Sequence, residues 1–138
     1  VPARNIYHDT VKQALLQDGW NITHDPLRLE WGKKDLYGDL GAEQLLAAEK
    51  EKSKIAVEIK SFVGRSDVAD LENALGQYVL YHDILEEVEP ERVLYLAIRD
   101  VVYEDLFEEP IGKLLLTKRR VKLLVFSPDP AEIVRWIP

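Results

Sequence analysis

Apolar positions along the chain change their period several times, and each change marks an element. Over residues 5–18, Ile6, Thr10, Val11, Ala14 and Leu15 recur at helical spacing, and Gly19 follows as a stop. Residues 20–29 read as a first strand, interrupted by the Asp25-Pro26 turn signal. Residues 36–49 and 54–62 read as two antiparallel strands joined through the charged turn Lys50-Glu51-Lys52-Ser53, with Gly38 and Gly41 permitting a bulge or a close backbone approach.

Ser66 is placed to cap a long helix ending near Val88, before Pro90, with Asp67 and Asp70 in its electropositive first turn. Val68, Leu71, Leu75, Tyr78 and Leu85 make one stripe, and Ala74, Tyr81, Ile84 and Val88 a second, so packing on two sides is expected. The near-continuous apolar run over 93–98 predicts a central buried strand. A short helix over 101–107, another opened by Pro110 through Leu116, a strand over 121–126, a Pro128/Pro130 turn and a last strand over 132–137 complete the order. The sequence α-β-β-β-α-β-α-β-β predicts an α/β chain with a central mixed β-sheet flanked by helices. At 138 residues, with no linker, repeat or low-complexity tract, it reads as one domain over 1–138.

Composition narrows the classes. Hydrophobic content of 46% and charged content of 31% describe an ordinary folded protein. The absence of cysteine excludes disulfides and thiolate metal sites, and fits a reducing cytoplasm. The sequence begins at Val1 without methionine, so its native start is expected upstream. With no leader and no membrane-length apolar run, a cytoplasmic protein without membrane contact is expected. The net charge of −7 argues against strong DNA binding by this chain alone, because phosphate neutralisation supplies most of such affinity. It leaves room for a nuclease, whose acids are offset by a cation, and favours a partner that supplies the grip.

The chemistry concentrates around Glu58-Ile59-Lys60, at the end of the apolar run Ile55-Ala56-Val57. Strand alternation puts Glu58 and Lys60 on one face. Desolvating such a pair costs several kcal/mol per ion, in order of magnitude, unless each finds a partner. Asp39 sits in an earlier strand-like segment, with Glu43 as a fallback should a bulge at Gly41 shift the register. Two acids and a lysine suit a divalent-metal phosphodiesterase: Asp39, Glu58 and the backbone carbonyl of Ile59 as ligands for Mg²⁺ or Mn²⁺, and Lys60 on the attacking water. On the long helix, Gln77 and Tyr81 are neighbours one turn apart, able to bond a phosphate or Lys60.

Each feature also has a plainer reading. Glu58 and Lys60 alone make a solvated ion pair, Asp39 a turn residue, Gln77 and Tyr81 a buried polar pair, and His8 a packing or surface histidine. Lys33-Lys34 and Lys118-Arg119-Arg120 with Lys122 read as solvated turns, and are the best phosphate contacts in so acidic a chain. Trp31 and Trp136 read as packing residues.

Taken together, Asp39, Glu58-x-Lys60 and Gln77-x-x-x-Tyr81 resemble the PD-(D/E)XK nuclease superfamily and its RecB-type branch, in which a first-helix histidine often completes the site; His8 corresponds. A closer likeness is carried by IYHD at 6–9, DPLR at 25–28, YGDLGAE at 37–43, IAVEIKSF at 55–62, LGQYVLY at 75–81, EPIG at 109–112 and the closing WIP. These resemble the XisH family, the fdxN-element excision controlling factors of cyanobacteria, from first helix to last residue. Lys33 stands where a second glycine is expected, and Gly38 where a valine is expected. The resemblance implies a restriction-endonuclease-like core and a role in programmed DNA excision, alongside a second factor, XisI, and a site-specific recombinase. "Controlling factor" names a genetic role and not a reaction. Two readings therefore stand: a metal-dependent DNA nuclease, possible as a homodimer, or a non-catalytic accessory module of nuclease-like fold.

Overall fold

The structure, a computed structural model, describes residues 6–36 and 45–138. Its centre is a six-stranded mixed sheet in the order β1-β4-β5-β6-β7-β8. These strands are β1 (Asn21–His24), β4 (Leu45–Lys50), β5 (Ser53–Ile59), β6 (Arg92–Arg99), β7 (Leu123–Pro128) and β8 (Ala131–Ile137). A separate two-stranded hairpin, β2 (Glu30–Trp31) with β3 (Lys34–Asp35), turns at Gly32, whose φ of +64° suits a residue without Cβ. The helices are α1 (His8–Gln17), α2 (Asp67–Val88), a short α3 (Asp100–Val102) running into a π-helical turn at Tyr103–Phe107, and α4 (Pro110–Thr117).

β4 and β5 are antiparallel, as their short charged turn requires, whereas β5, β6 and β7 run parallel. Parallel neighbours need a crossover, and α2 supplies the one between β5 and β6. Alternation along β5 then sorts its side chains. Ile55, Val57 and Ile59 pack on Val11 and Leu15 of α1. Ala56 faces the other way, into the layer formed by Leu71, Ala74, Tyr78, Tyr81 and Leu85 of α2 with Leu106 and Phe107. The sheet is thus covered by α1 on one face and by α2 with the 100–117 helices on the other.

Several sequence expectations need correction. The first strand stops at His24, because the chain turns at the Asp25–Pro26 bond and does not continue as a strand to Leu29. The β2–β3 hairpin went unread, since two-residue strands carry no periodicity. Strand β5 ends at Ile59, so Lys60 lies just beyond it, although its N–H still donates to the Ala97 carbonyl at 3.2 Å. Of the expected strand over 36–49, residues 45–49 lie in β4, and 37–44 lie outside the described residues.

Helix α2 is capped as expected, the Ser66 hydroxyl accepting the Ala69 N–H at 3.1 Å. It is not packed on two sides. Leu71, Ala74, Tyr78, Tyr81, Ile84 and Leu85 form one broad buried face, while Val68, Val79, Leu80 and Val88 are exposed. The two stripes are the shoulders of a single face. Trp31 is half exposed and not a core residue, whereas Trp136 packs with Trp20 and Tyr95. Among the described residues, no helix is long and apolar enough to cross a membrane.

Candidate functional site

Glu58 occupies the α2-facing side of β5, between register partners Leu45 on β4 and Leu96 on β6. Both neighbours are fully buried, and Glu58 itself is only 1% exposed. Neither of its carboxylate oxygens has a hydrogen-bond partner among the described residues. Burial pushes its pKa up to about 8, and the Lys60 charge only partly opposes this. A buried acceptor left without donors is costly, so this carboxylate is poor as a fold-stabilising group.

Lys60 begins the loop that leaves β5. Burial lowers its pKa, while Glu58 and Asp70 act to raise it. Asp70, in the first turn of α2, accepts the Gly64 N–H at 2.9 Å and folds that loop back toward Lys60. Lys60, Ser61, Val63, Gly64, Asp70 and Asn73 border an open pocket of about 160 Å³. Arg99, at the end of β6, braces the same loop by donating to the Ser61 carbonyl at 2.9 Å. Asp70 and Arg99 are functional candidates that the sequence reading missed. Asp70 was legible only as a helix-start acid, since nothing local shows the loop returning to it.

Gln77 is half-buried and Tyr81 buried on α2, both on the sheet side of the helix, the side from which Glu58 is covered. Next to them, the Tyr78 hydroxyl donates to the Leu94 carbonyl at 3.0 Å and accepts the Lys122 N–H at 3.1 Å. Burial raises the Tyr78 pKa to about 12, so it stays a neutral donor. His8 lies on α1, the helix covering the opposite face. Its Nε2 meets Asp25 at 2.6 Å, and Lys12 binds the other Asp25 oxygen at 2.7 Å. His8 Nδ1 is buried without a hydrogen-bond partner among the described residues. Asp39 and Glu43, the other acids read from the sequence, lie outside the described residues.

The described part of the site therefore holds one buried acid, one half-buried ammonium and a second acid that anchors the intervening loop. Such a set offers oxygen atoms of the kind a hard cation takes, with a positive group beside them. Comparison with known proteins bears on its identity. The family model described as XisH protein matches residues 1–134. The solved structure of an XisH family protein from Nostoc punctiforme PCC 73102 is 38% identical, covers 97% of this chain and 100% of its own, and superposes with a TM-score of 0.88. That of an fdxN element excision controlling factor protein from Anabaena variabilis is 40% identical, covers 96% and 98%, and gives 0.87. No curated protein matches the chain. With one family model across nearly its whole length and two solved members sharing both its sequence and its fold, this chain belongs to the XisH family.

Proposed function

We propose that this chain is a divalent-metal-dependent phosphodiesterase of the PD-(D/E)XK type, acting on DNA during programmed excision of a chromosomal element. One observation carries the reading: Glu58 is buried with both oxygens lacking partners among the described residues, directly beside Lys60. A hard cation is the ligand that makes such a carboxylate favourable in its ionised form. The donor set fits Mg²⁺ or Mn²⁺, held by Glu58, the Ile59 carbonyl and Asp39. In the sequence Asp39 precedes Leu45, the register partner of Glu58, by six residues.

When bound, the cation would act as a Lewis acid toward the phosphoryl and leaving oxygens. The protein's own groups do the rest. Lys60 bonds a water placed for in-line attack, and its burial lowers its pKa, which favours giving up a proton. Asp70 keeps the Lys60 loop closed and its charge compensated. Gln77 and Tyr81 orient Lys60 or the scissile phosphate. His8, on the helix covering the opposite face with its Nε2 committed to Asp25, has no step in this mechanism.

The test is cleavage of single-stranded, duplex and branched DNA in Mg²⁺ or Mn²⁺, by wild type and Glu58→Ala, with and without an XisI-like second factor. Metal-dependent cutting lost in the variant supports the reading; no cutting in any mixture by folded protein rejects it. A second reading is favoured by the net charge of −7 and by the absence of Lys and Arg throughout α2. In it the chain is an accessory module that assists a recombinase by protein contact. Metal binding dependent on Glu58, followed by calorimetry, separates the two.

A further inference from the structure

The solvent face of α2 has no purpose in the site. Directly opposite the buried stripe lie Val68, Glu72, Gly76, Val79, Asp83 and Glu86, with Leu80 and Glu87 at the margin. Val79 is 54% exposed and Leu80 41%, and a Cβ on Gly76 would meet nothing within 4 Å. A mid-helix glycine costs about 1 kcal/mol relative to alanine, and here no described residue uses the space it leaves. Glu86 and Glu87 occupy the last turns of the helix, where the dipole disfavours them and no Lys or Arg stands; His82 lies 3.3 Å from Asp83 and 3.8 Å from Glu86. Leu80 and Trp31, half exposed on the neighbouring hairpin, form a hollow of about 380 Å³ rimmed by Asp83, Glu86 and Glu87.

The complement of this surface lies on the same chain. After α4 come Lys118, Arg119 and Arg120, all exposed, beside Leu114, which is 54% exposed. Arg119 and Arg120 form no ion pair among the described residues. The two surfaces abut: a groove of about 240 Å³ has Val79, His82 and Asp83 on one wall and Arg119 and Arg120 on the other. Two adjacent patches of opposite charge, each with apolar residues, are self-complementary under a two-fold rotation. An axis through the groove lays each patch on its opposite in the other copy.

We propose that this face joins two copies of the chain about a two-fold axis, the acidic apolar face of α2 in one protomer meeting Arg119 and Arg120 of the other. Apolar contacts of Val79, Leu80 and Leu114 form the middle of the interface, and the charges fix its register. The pocket beside Lys60 is lined by Asp70 and Asn73 at the start of α2 and shares no lining residue with the groove between Val79 and Arg119. The inference rests on this surface alone and is read by mass, so it stands or falls separately from any cleavage.

The experiment is sedimentation equilibrium of the full chain, with two charge-swapped variants: Asp83→Arg with Glu86→Arg, and Arg119→Glu with Arg120→Glu. Wild type is expected to be a dimer at tens of micromolar. Each swap alone should weaken it by at least about a hundredfold, because like charges then face one another. Mixing the two variants should restore a dimer containing one of each. Val79→Ser with Leu80→Ser, which changes no charge, should also weaken the dimer. A monomeric wild type at hundreds of micromolar overturns the proposal, as does a dimer indifferent to both swaps, or swapped variants that fail to pair on mixing. Binding of a lysine-rich amphipathic peptide to a monomeric wild type would assign the α2 face to a different protein and likewise overturn it.

Discussion

The Asp70 carboxylate accepts the Gly64 N–H at 2.9 Å, and so holds the loop that carries Lys60 against the start of α2. The approach is close: a Cβ on Gly64 would stand 2.7 Å from an Asp70 oxygen. Asp70 therefore has two separable roles, acceptor for the loop and counter-charge for Lys60. Asp70→Ala removes both, and should cost about 1 kcal/mol of stability. Asp70→Asn keeps an acceptor oxygen and should restore most of that stability. On the proposed mechanism both variants shift the pH profile of single-turnover cleavage to lower pH, since both remove a carboxylate that raises the Lys60 pKa. Urea denaturation beside the pH profile of single-turnover cleavage checks this; a profile unmoved in Asp70→Asn would contradict the second role.

Glu58 was legible because it breaks an apolar run at a position whose face is fixed by its neighbours. Ile55, Val57 and Ile59 point one way, so Glu58 must point the other, and the structure puts it between Leu45 and Leu96. The mixed sheet was legible for a similar reason: the charged turn 50–53 demands an antiparallel pair, and the long helix after β5 leaves length for a parallel return. Asp70 and Arg99 were not legible, because their relation to Lys60 is made by a loop folding back, which no periodicity encodes. The outer face of α2 was misread for another reason. Helical spacing assigns residues to sides but does not say which side has a neighbour, so Val68 and Val88 were counted with the core although they are exposed. Trp31 was misassigned because large apolar residues usually mark a core, and here one marks a hairpin lying on the surface.

Tyr78 joins three elements through one oxygen. From α2 it donates to Leu94 on β6 and accepts from the N–H of Lys122, just before β7. Tyr78→Phe leaves the Lys122 N–H and the Leu94 carbonyl without this partner while keeping the ring's packing. The expected cost is about 1–2 kcal/mol. Denaturant midpoints of the variant and wild type check it, with an unchanged slope showing that the fold is intact.

Arg92 closes the other end of the sheet. It is buried, donates to the Ile55 carbonyl at 3.0 Å, and pairs with both Glu89 oxygens at 2.9 Å and with Glu49 at 3.3 Å. Arg92→Ala strips a buried cation from its partners and should cost about 3 kcal/mol or more. The same contacts hold the Glu89 pKa below the ordinary carboxylate value. The folded protein thus binds fewer protons there than the unfolded chain, so this stabilisation is full above the ordinary Glu value. It is lost as pH falls through the lowered one. Wild type should lose stability on acidification below about pH 4.5 more steeply than Arg92→Ala, in melts run from neutral to acid pH.

Glu58 has the opposite sign. Its pKa is raised from 4.5 to about 8, chiefly by burial, so the folded protein holds a proton there that the unfolded chain has released. Stability is full below the unfolded value and declines as pH rises from 4.5 through about 8. Lys60, whose pKa is lowered, works in the other direction below the ordinary lysine value, but it is present in both proteins to be compared. Glu58→Gln keeps the shape and removes the ionisation. With chelator present, it should match wild type near pH 5 and exceed it at pH 9 by about 1–3 kcal/mol, the relief of an uncompensated buried charge. Adding Mg²⁺ or Mn²⁺ at pH 8 should raise the melting temperature of wild type and raise that of Glu58→Gln much less, because the variant loses one of the two carboxylate ligands proposed for the cation. A variant no more stable than wild type across this range would show that Glu58 is compensated within the fold. The strain we ascribe to an inbuilt cation site would then have no basis.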